Sequence, residues 1–306
     1  MSDPNTTVGK LWAYLMERFP PVATLLYGGA LFCVAWGAAG RLPGASSGSW
    51  VDAVLGSLVF FLALLHVRLM DEHKDYDKDC EAYPDRLLSR GVVTLRMLKG
   101  MLGVVLVLEA GLAAMLGVQA LVVWLALFAF TLAMLVEFGV GEWLNRRLGW
   151  YLVSHQAMVL LMAVFAAAVR VDLLALPPTS LVALGMLGLG MICATVTFEL
   201  GRKTWSPDRE HASADSYTKV WGRPRTVVTT MAVALTGLGA WAWLLMALGA
   251  SWFPAAIAAA CVLLLLAVEI FFLRQPTKKA SKLVELTGAV YALAALIGSA
   301  VGFIAA

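Results

Sequence analysis

Nine separate runs, each about the 20 apolar residues that a bilayer core demands of a helix, divide this chain. They lie at 21–40, 50–70, 97–117, 119–139, 149–169, 178–200, 226–248, 253–273 and 284–305. Backbone polar groups can be satisfied in lipid only by helices or closed barrels, and runs of this length specify helices. Only 14% of the 306 residues are charged, against about 25% in a soluble domain. Gly and Pro mark the run ends (Pro20–Pro21, Gly40, Pro43, Gly117, Pro177–Pro178, Pro254, Pro276). Gly185, Gly188, Gly190, Gly237 and Gly239 lie inside spans, where small residues let helices approach closely. The reading is an all-α membrane protein with nine transmembrane helices in one membrane domain covering 1–306. The formal charge of +3 is too small to suggest a nucleic-acid partner. Cys33, Cys80, Cys193 and Cys261 share no metal-ligand spacing and read as small hydrophobes.

Residues 1–20 precede the first run. Val8, Leu11, Trp12, Leu15, Met16 and Phe19 share one helical face, with Lys10, Glu17 and Arg18 on the others, the pattern of a helix lying in the membrane interface. The first run is long enough to be a retained span rather than a cleaved signal.

Lys and Arg give the orientation. The N-terminus and the loops after spans two, four, six and eight hold 21 of the 23 basic residues, and Arg41 and Arg170 are the two exceptions. The N-terminus and those loops are therefore expected on the cytoplasmic side of an inner or plasma membrane, with the C-terminus outside. The two most polar segments, 71–96 and 199–225, then lie on the same side four spans apart. Each ends at a glycine, Gly91 or Gly222, suggesting two four-helix repeats followed by a ninth helix.

The first polar segment begins Asp71-Glu72-His73-Lys74-Asp75-Tyr76-Asp77-Lys78-Asp79. If the second span continues as helix, Asp71, Asp75 and Asp79 share a face, with Glu72 beside Asp75. Like charges so spaced repel unless a cation joins them. Magnesium suits the role, since it takes one or two carboxylates together with water and phosphate oxygens. A solvated loop with the acids paired to Lys74 and Lys78 is the alternative.

With Arg86-Leu87-Leu88-Ser89-Arg90-Gly91 added, the segment resembles the first motif of the UbiA superfamily of intramembrane prenyltransferases. That motif is Asn-Asp-x-x-Asp-x-x-x-Asp, followed at fixed distances by Arg and Gly. Asp71 and Glu72 stand for the Asn-Asp pair, Asp75 and Asp79 match the later acids, and Arg86 and Gly91 fall in register. Arg18-Phe19-Pro20 is similar to the Arg-x-Pro entry to the family's first helix. The second family motif is an Asp-x-x-x-Asp, then a Ser or Thr six residues before a Gly. Ser216 and Gly222 keep that spacing, but Glu199 is followed by Arg202 and Lys203 where acids are expected. Asp208, Glu210 and Asp215 come later.

The resemblance implies nine helices around a central cavity and a magnesium-dependent ionisation of an isoprenyl diphosphate, the prenyl chain passing to a small or lipid acceptor. It implies metal contacts from Asp71, Glu72, Asp75, Asp79, Glu199, Asp208 and Asp215. Substrate contacts would come from Arg18, Arg86, Arg90, Arg202 and Lys203. Asp75, Asp79, Arg86, Glu199, Lys203 and His155 would take part in the chemistry. The allylic cation left behind is stabilised by aromatic faces, for which Trp36, Phe60, Phe61, Trp124 and Phe198 are candidates. Polar groups in or beside the spans are candidates for holding the acceptor or taking its proton. Those are Glu137, Glu142, His155 and Gln156, with Glu142 alternatively paired to Arg146. Glu109 and Glu269 have no partner evident in the sequence.

Two other activities fit the same residues. A UbiA-type terpene cyclase would consume the diphosphate without an acceptor. A transporter would use the repeat and the intramembrane acids, although transporter sites lie near the midplane and these acids gather at one face.

Overall fold

The computed structural model describes residues 6–210 and 215–305, all in helices and connecting turns. A short helix α1 (Thr7–Arg18) leads into the first span, α2 (Pro21–Ala39). The second span is α3 (Trp50–Lys74), followed at once by α4 (Tyr76–Ala82). Spans three and four are α5 (Leu95–Leu116) and α6 (Val118–Leu135). After the short α7 (Gly141–Asn145), the fifth span is built from α8 (Leu148–Gln156) and α9 (Met158–Ala168). The sixth is α10 (Pro178–Arg202). The five-residue α11 (Tyr217–Trp221) precedes spans seven to nine, α12 (Arg223–Ala247), α13 (Phe253–Arg274) and α14 (Lys278–Ala305). Nine helices among the described residues are thus long and apolar enough to cross a membrane, the number and order read from the sequence.

Local chemistry sets the helix ends. The Thr6 side chain accepts from the Gly9 amide, and Ser49 and Asp52 form a reciprocal capping box, satisfying amides that a helix start leaves free. Pro21, Pro178 and Pro254 stand in the first turns of their helices, where a missing N–H matters least. Several helices run past their apolar segments: α3 continues to Lys74, and α14 begins at Lys278 rather than near residue 284. Hydropathy marks where lipid ends, whereas the helix's own hydrogen bonds carry it into water.

Consecutive spans pack against one another, and α14 returns to pack on α2 and α10. Small residues allow the closest of these contacts. Gly288 lies against the Thr197 carbonyl and Gly201, Gly190 lies under the Trp241 ring, and Gly237 sits between Cys193 and Tyr291. Gly188 meets Leu160, but Gly185 and Gly239 have open space and are not packing residues as expected. At the end of the bundle away from the acid motif, Arg41 Nε donates to the Phe303 carbonyl (2.8 Å). Arg170 there stacks over Trp36 and donates to the Ser46 carbonyl. Those two basic residues fasten chain segments together.

A methyl group at Gly56 would overlap the buried Phe32 ring, which is itself held edge-on to Phe60 at 5.2 Å. Gly56→Ala should therefore destabilise the protein by about 1–3 kcal/mol, the usual range for overpacking. A lowered thermal midpoint in detergent is the measurement that checks it.

Candidate active site: a charged cavity at one end of the bundle

A cavity of about 660 Å3 opens at the end of the bundle that carries both polar segments. This is within the range of small-molecule sites. Asp71, Asp75 and Asp79 from the α3–α4 junction line its mouth together with Arg18, Lys78 and Arg86. Glu199, Arg202 and Lys203 at the end of α10 line it as well, as does Asp215. Leu31, Met134, Met158, Val159 and Met162 give it an apolar body.

The acid ladder survives a break in the helix. Asp75 departs from helical geometry (φ −100°, ψ 13°), yet backbone hydrogen bonds from the Asp75 amide to the Asp71 carbonyl and from the Asp79 amide to the Asp75 carbonyl carry the i, i+4 spacing through the junction. Lys74 Nζ lies 3.8 Å from Asp71 and 3.8 Å from Glu137. Arg86 binds Asp79 at 2.6 Å and stacks over Tyr83, and Arg18 reaches the same Asp79 oxygen at 3.3 Å. No ion pair of this kind engages Asp75 among the described residues.

Glu72 departs from its expected place. One residue round the helix from Asp71, it turns about 100° away and does not line the cavity. It is buried, and its Oε1 accepts from Arg18 Nε (2.9 Å) and from Arg68 (2.6 Å). Its contact with Arg18 ties α1 to α3, and it is outside the cavity lining expected of a metal ligand. Glu17 accepts from the Leu87 amide, tying α1 to the motif loop as well.

The second segment is a charge cluster of different sign. Glu199 takes a bidentate contact from Arg202 (2.8 and 2.9 Å) and lies 3.4 Å from Lys203. Two cations on one carboxylate leave positive charge facing the cavity, which suits phosphate oxygens. Asp208 is exposed and outside the cavity lining. That position removes it from the expected metal set. Asp215 lies 3.4 Å from Lys219. The Ser216–Gly222 spacing has a structural cause: Ser216 caps the start of α11 through the Lys219 amide, and Gly222 closes it at φ 79°. Arg90 is exposed and does not line the cavity either.

Of the aromatic candidates, only Phe198 lines the cavity. Trp36 is under Arg170, Phe60 is in the core with Phe32, Phe61 packs on Phe19, and Trp124 donates to Glu109. Tyr27, 6.2 Å from Phe198, and Tyr151 line the cavity too. Tyr151 stacks on His155 (4.0 Å, 15°), and its hydroxyl accepts from Lys74 Nζ at 3.0 Å. Tyr151 and His155 are four residues apart on α8, so the shared face was legible once His155 was singled out. His155 Nδ1 lies 2.9 Å from the Tyr151 carbonyl. That carbonyl accepts only, so the hydrogen is on Nδ1 and Nε2 keeps its lone pair. Nε2 is enclosed and has no hydrogen-bond partner among the described residues. Gln156 also lines the cavity, and accepts from Thr195 at 2.7 Å.

Glu142 is exposed and pairs with Arg146 at 3.7 Å, away from the cavity. Glu137 and Phe138 both take left-handed backbone (φ 49° and 55°), which is costly for residues other than Gly. The turn sets Glu137 near Lys74 and Asn145 and places the Phe138 ring perpendicular to His155. Glu109, expected without a partner, has two: His66 Nδ1 lies 2.9 Å from it and the Trp124 indole donates to it at 2.8 Å, while Thr131 holds the far side of His66. Glu269 is buried in α13 with both oxygens unpartnered among the described residues.

No three His, Cys, Asp or Glu side chains among the described residues converge as a closed metal cage. The donor set nevertheless fits magnesium, which is reluctant to shed its waters and asks for one or two carboxylates plus phosphate oxygens. Asp71 and Asp75 are an all-oxygen pair at the cavity mouth with few competing cations. Six Lys or Arg and five Asp or Glu line the cavity. That near balance favours an anion arriving with its counter-cation over either one alone.

Fold and site thus define a helical membrane protein with an amphipathic cavity, ionic at its mouth and apolar below. Residues 30–294 match the model of the UbiA prenyltransferase family. The chain belongs to that family, a family of membrane-embedded enzymes. Its fold is similar to that of a UbiA homolog from Aeropyrum pernix K1 (TM-score 0.66, 16% identity, 92% of this chain and 97% of that one). It is also similar to a structure described for digeranylgeranylglyceryl phosphate synthase (TM-score 0.64, 14% identity, 97% and 99%). A third similar fold is a UbiA homolog from Archaeoglobus fulgidus bound to GPP and Mg2+ (TM-score 0.52, 14% identity, 94% and 100%). No curated protein sequence matches the chain.

Proposed function

We propose that this enzyme is a magnesium-dependent prenyltransferase that ionises an isoprenyl diphosphate and passes the prenyl chain to a small or lipid acceptor. The observation that carries the reading is that a single cavity offers carboxylates and guanidinium or ammonium groups at its mouth and Met, Leu and Val below. An isoprenyl diphosphate has the same polarity from end to end. The fold relative from Archaeoglobus fulgidus, solved with GPP and Mg2+, supports the same substrate class.

In this reading Asp71 and Asp75, with Asp79, would hold the magnesium, which when bound would supply positive charge to the departing diphosphate. Arg202 and Lys203 hold diphosphate oxygens. Arg86, anchored by Asp79 and Tyr83, donates from the other side. The donors are fixed before the substrate arrives, so little reorganisation accompanies ionisation. Tyr27, Phe198 and Tyr151 present π faces to the prenyl cation, and the apolar lining excludes water. His155 Nε2 is the base for the acceptor's proton, which requires the groups that enclose it to open. The distribution of basic residues supports a cytoplasmic location for the cavity mouth and the N-terminus.

The test is incubation of the purified protein with magnesium and geranyl, farnesyl or geranylgeranyl diphosphate, with and without a membrane lipid extract as acceptor source. Diphosphate release that requires magnesium and yields a prenylated acceptor is the expected result. Hydrocarbon products formed without any acceptor would establish the cyclase instead. No release with any donor would overturn both.

Lys203→Gln is expected to raise KM for the prenyl diphosphate about tenfold, in line with about 1.5–3 kcal/mol for a charge-assisted hydrogen bond. Unchanged KM would remove Lys203 from the diphosphate contacts.

A further inference from the structure

We infer that the lipid-facing start of α14 is a binding site for an anionic phospholipid, separate from the cavity described above. A second concavity, of about 480 Å3, is lined by Lys278, Lys279, Lys282, Leu283 and Leu286. Lys278, Lys282 and Leu286 are four residues apart and form one outward stripe of the helix. Lys279 and Leu283 flank them. The three lysines and Leu286 are exposed, while the opposite face (Ala280, Ser281, Val284, Thr287) is buried in the bundle.

The lysines have little counter-charge within the protein. Glu285 is the one carboxylate in α14, and Arg209 takes it at 3.4 Å. Asp208 is near enough to Lys278 to feel its charge, but no ion pair within 4.0 Å of Lys278, Lys279 or Lys282 is formed among the described residues. Helix stability does not call for them, because cations in a first turn oppose the helix dipole. An ordinary topological anchor needs charge at the membrane surface but no apolar floor beneath it. Here the charge stands one turn above Leu283 and Leu286, on the outer side of a helix that crosses the membrane. A phospholipid headgroup phosphate fits the lysines and its acyl chain fits the leucines. Clusters of basic residues beside a span attract anionic lipids in this way.

The site also borders the second motif segment. Arg209 donates to Ser281 (2.8 Å), and Ser281 donates to the Thr204 carbonyl (2.7 Å). The face of α14 behind the lysines therefore anchors the turn that follows Lys203. A lipid on the lysines would steady that anchor from outside.

The test uses the full chain in nanodiscs of phosphatidylcholine alone or with phosphatidylglycerol. Thermal midpoints are recorded, and retained lipid is counted by native mass spectrometry. The wild type should gain several degrees with phosphatidylglycerol and keep one copy through detergent exchange. Lys278→Gln/Lys279→Gln/Lys282→Gln should match the wild type in phosphatidylcholine and lose both effects. Each lysine removed should weaken the preference about fivefold, the factor for about 1 kcal/mol per charge near a surface. Inorganic phosphate added to phosphatidylcholine discs should not stabilise the protein, and an equal effect would reduce the site to a bare anion site and overturn the lipid assignment. Full retention of phosphatidylglycerol by the triple variant would overturn the site itself.

Discussion

Asp75→Asn should lower magnesium-dependent diphosphate release by about 10²–10³-fold, the loss seen when one preorganised stabiliser of developing charge is removed. The fall should be in kcat, with KM for the prenyl diphosphate nearly unchanged, because the cationic groups that hold the ground-state diphosphate remain. Stability should not fall. Asp75 takes part in no ion pair among the described residues, and its carboxylate lies close enough to Asp71 for like-charge repulsion. A thermal midpoint equal to or above that of the wild type, with turnover lost, separates a catalytic defect from misfolding. Asp79 would give a poorer test, since its removal releases Arg86 and takes from Arg18 one of its two carboxylates. Undiminished turnover in Asp75→Asn would sink the assignment of the acid ladder to metal and diphosphate.

Glu109→Ala should destabilise the protein more than Gly56→Ala does. It would leave His66 Nδ1 and the Trp124 indole N–H buried without an acceptor. Breaking a buried, hydrogen-bonded pair by removing one partner costs about 3–5 kcal/mol, and lipid offers no water to replace the lost contact. Part of that loss should return in His66→Leu/Glu109→Leu, because the imidazole is then no longer left unsatisfied, while the Trp124 indole N–H still lacks its acceptor. Thermal unfolding of the two single variants and the double variant gives the coupling. Additive losses would show that His66 and Glu109 are not a unit. Prenyl-diphosphate turnover of whatever protein stays folded should be little changed, since His66, Glu109, Trp124 and Thr131 are all outside the cavity lining.

These two expectations differ in how far each is legible in the sequence. The Asp71, Asp75 and Asp79 face follows from a spacing of four, which a helix converts into a line of side chains whatever surrounds it. Glu72 shows the limit of that rule. Its neighbours on the chain made it a ligand, but a single residue step turned it towards Arg18 and Arg68. Glu109 read as unpartnered because its partners are 43 and 15 residues away in sequence, beyond any periodicity. Arg202 and Lys203 were legible as cations in the place of acids, but that both fall on Glu199 is a matter of side-chain packing at the end of α10. Tyr27 was missed for the same reason: nothing in an apolar run distinguishes an aromatic ring that faces a cavity from one that faces lipid.

The sequence alone determined the number and order of the spans, the gathering of charge at one end and the acid ladder. Each of these rests on local quantities: apolar length set against bilayer thickness, basic residues counted loop by loop, and the helical repeat. Only the tertiary structure decided which charged groups face the cavity and which are spent on one another. A buried charge is held by partners that arrive from distant segments, so its role is fixed when the helices pack and not before.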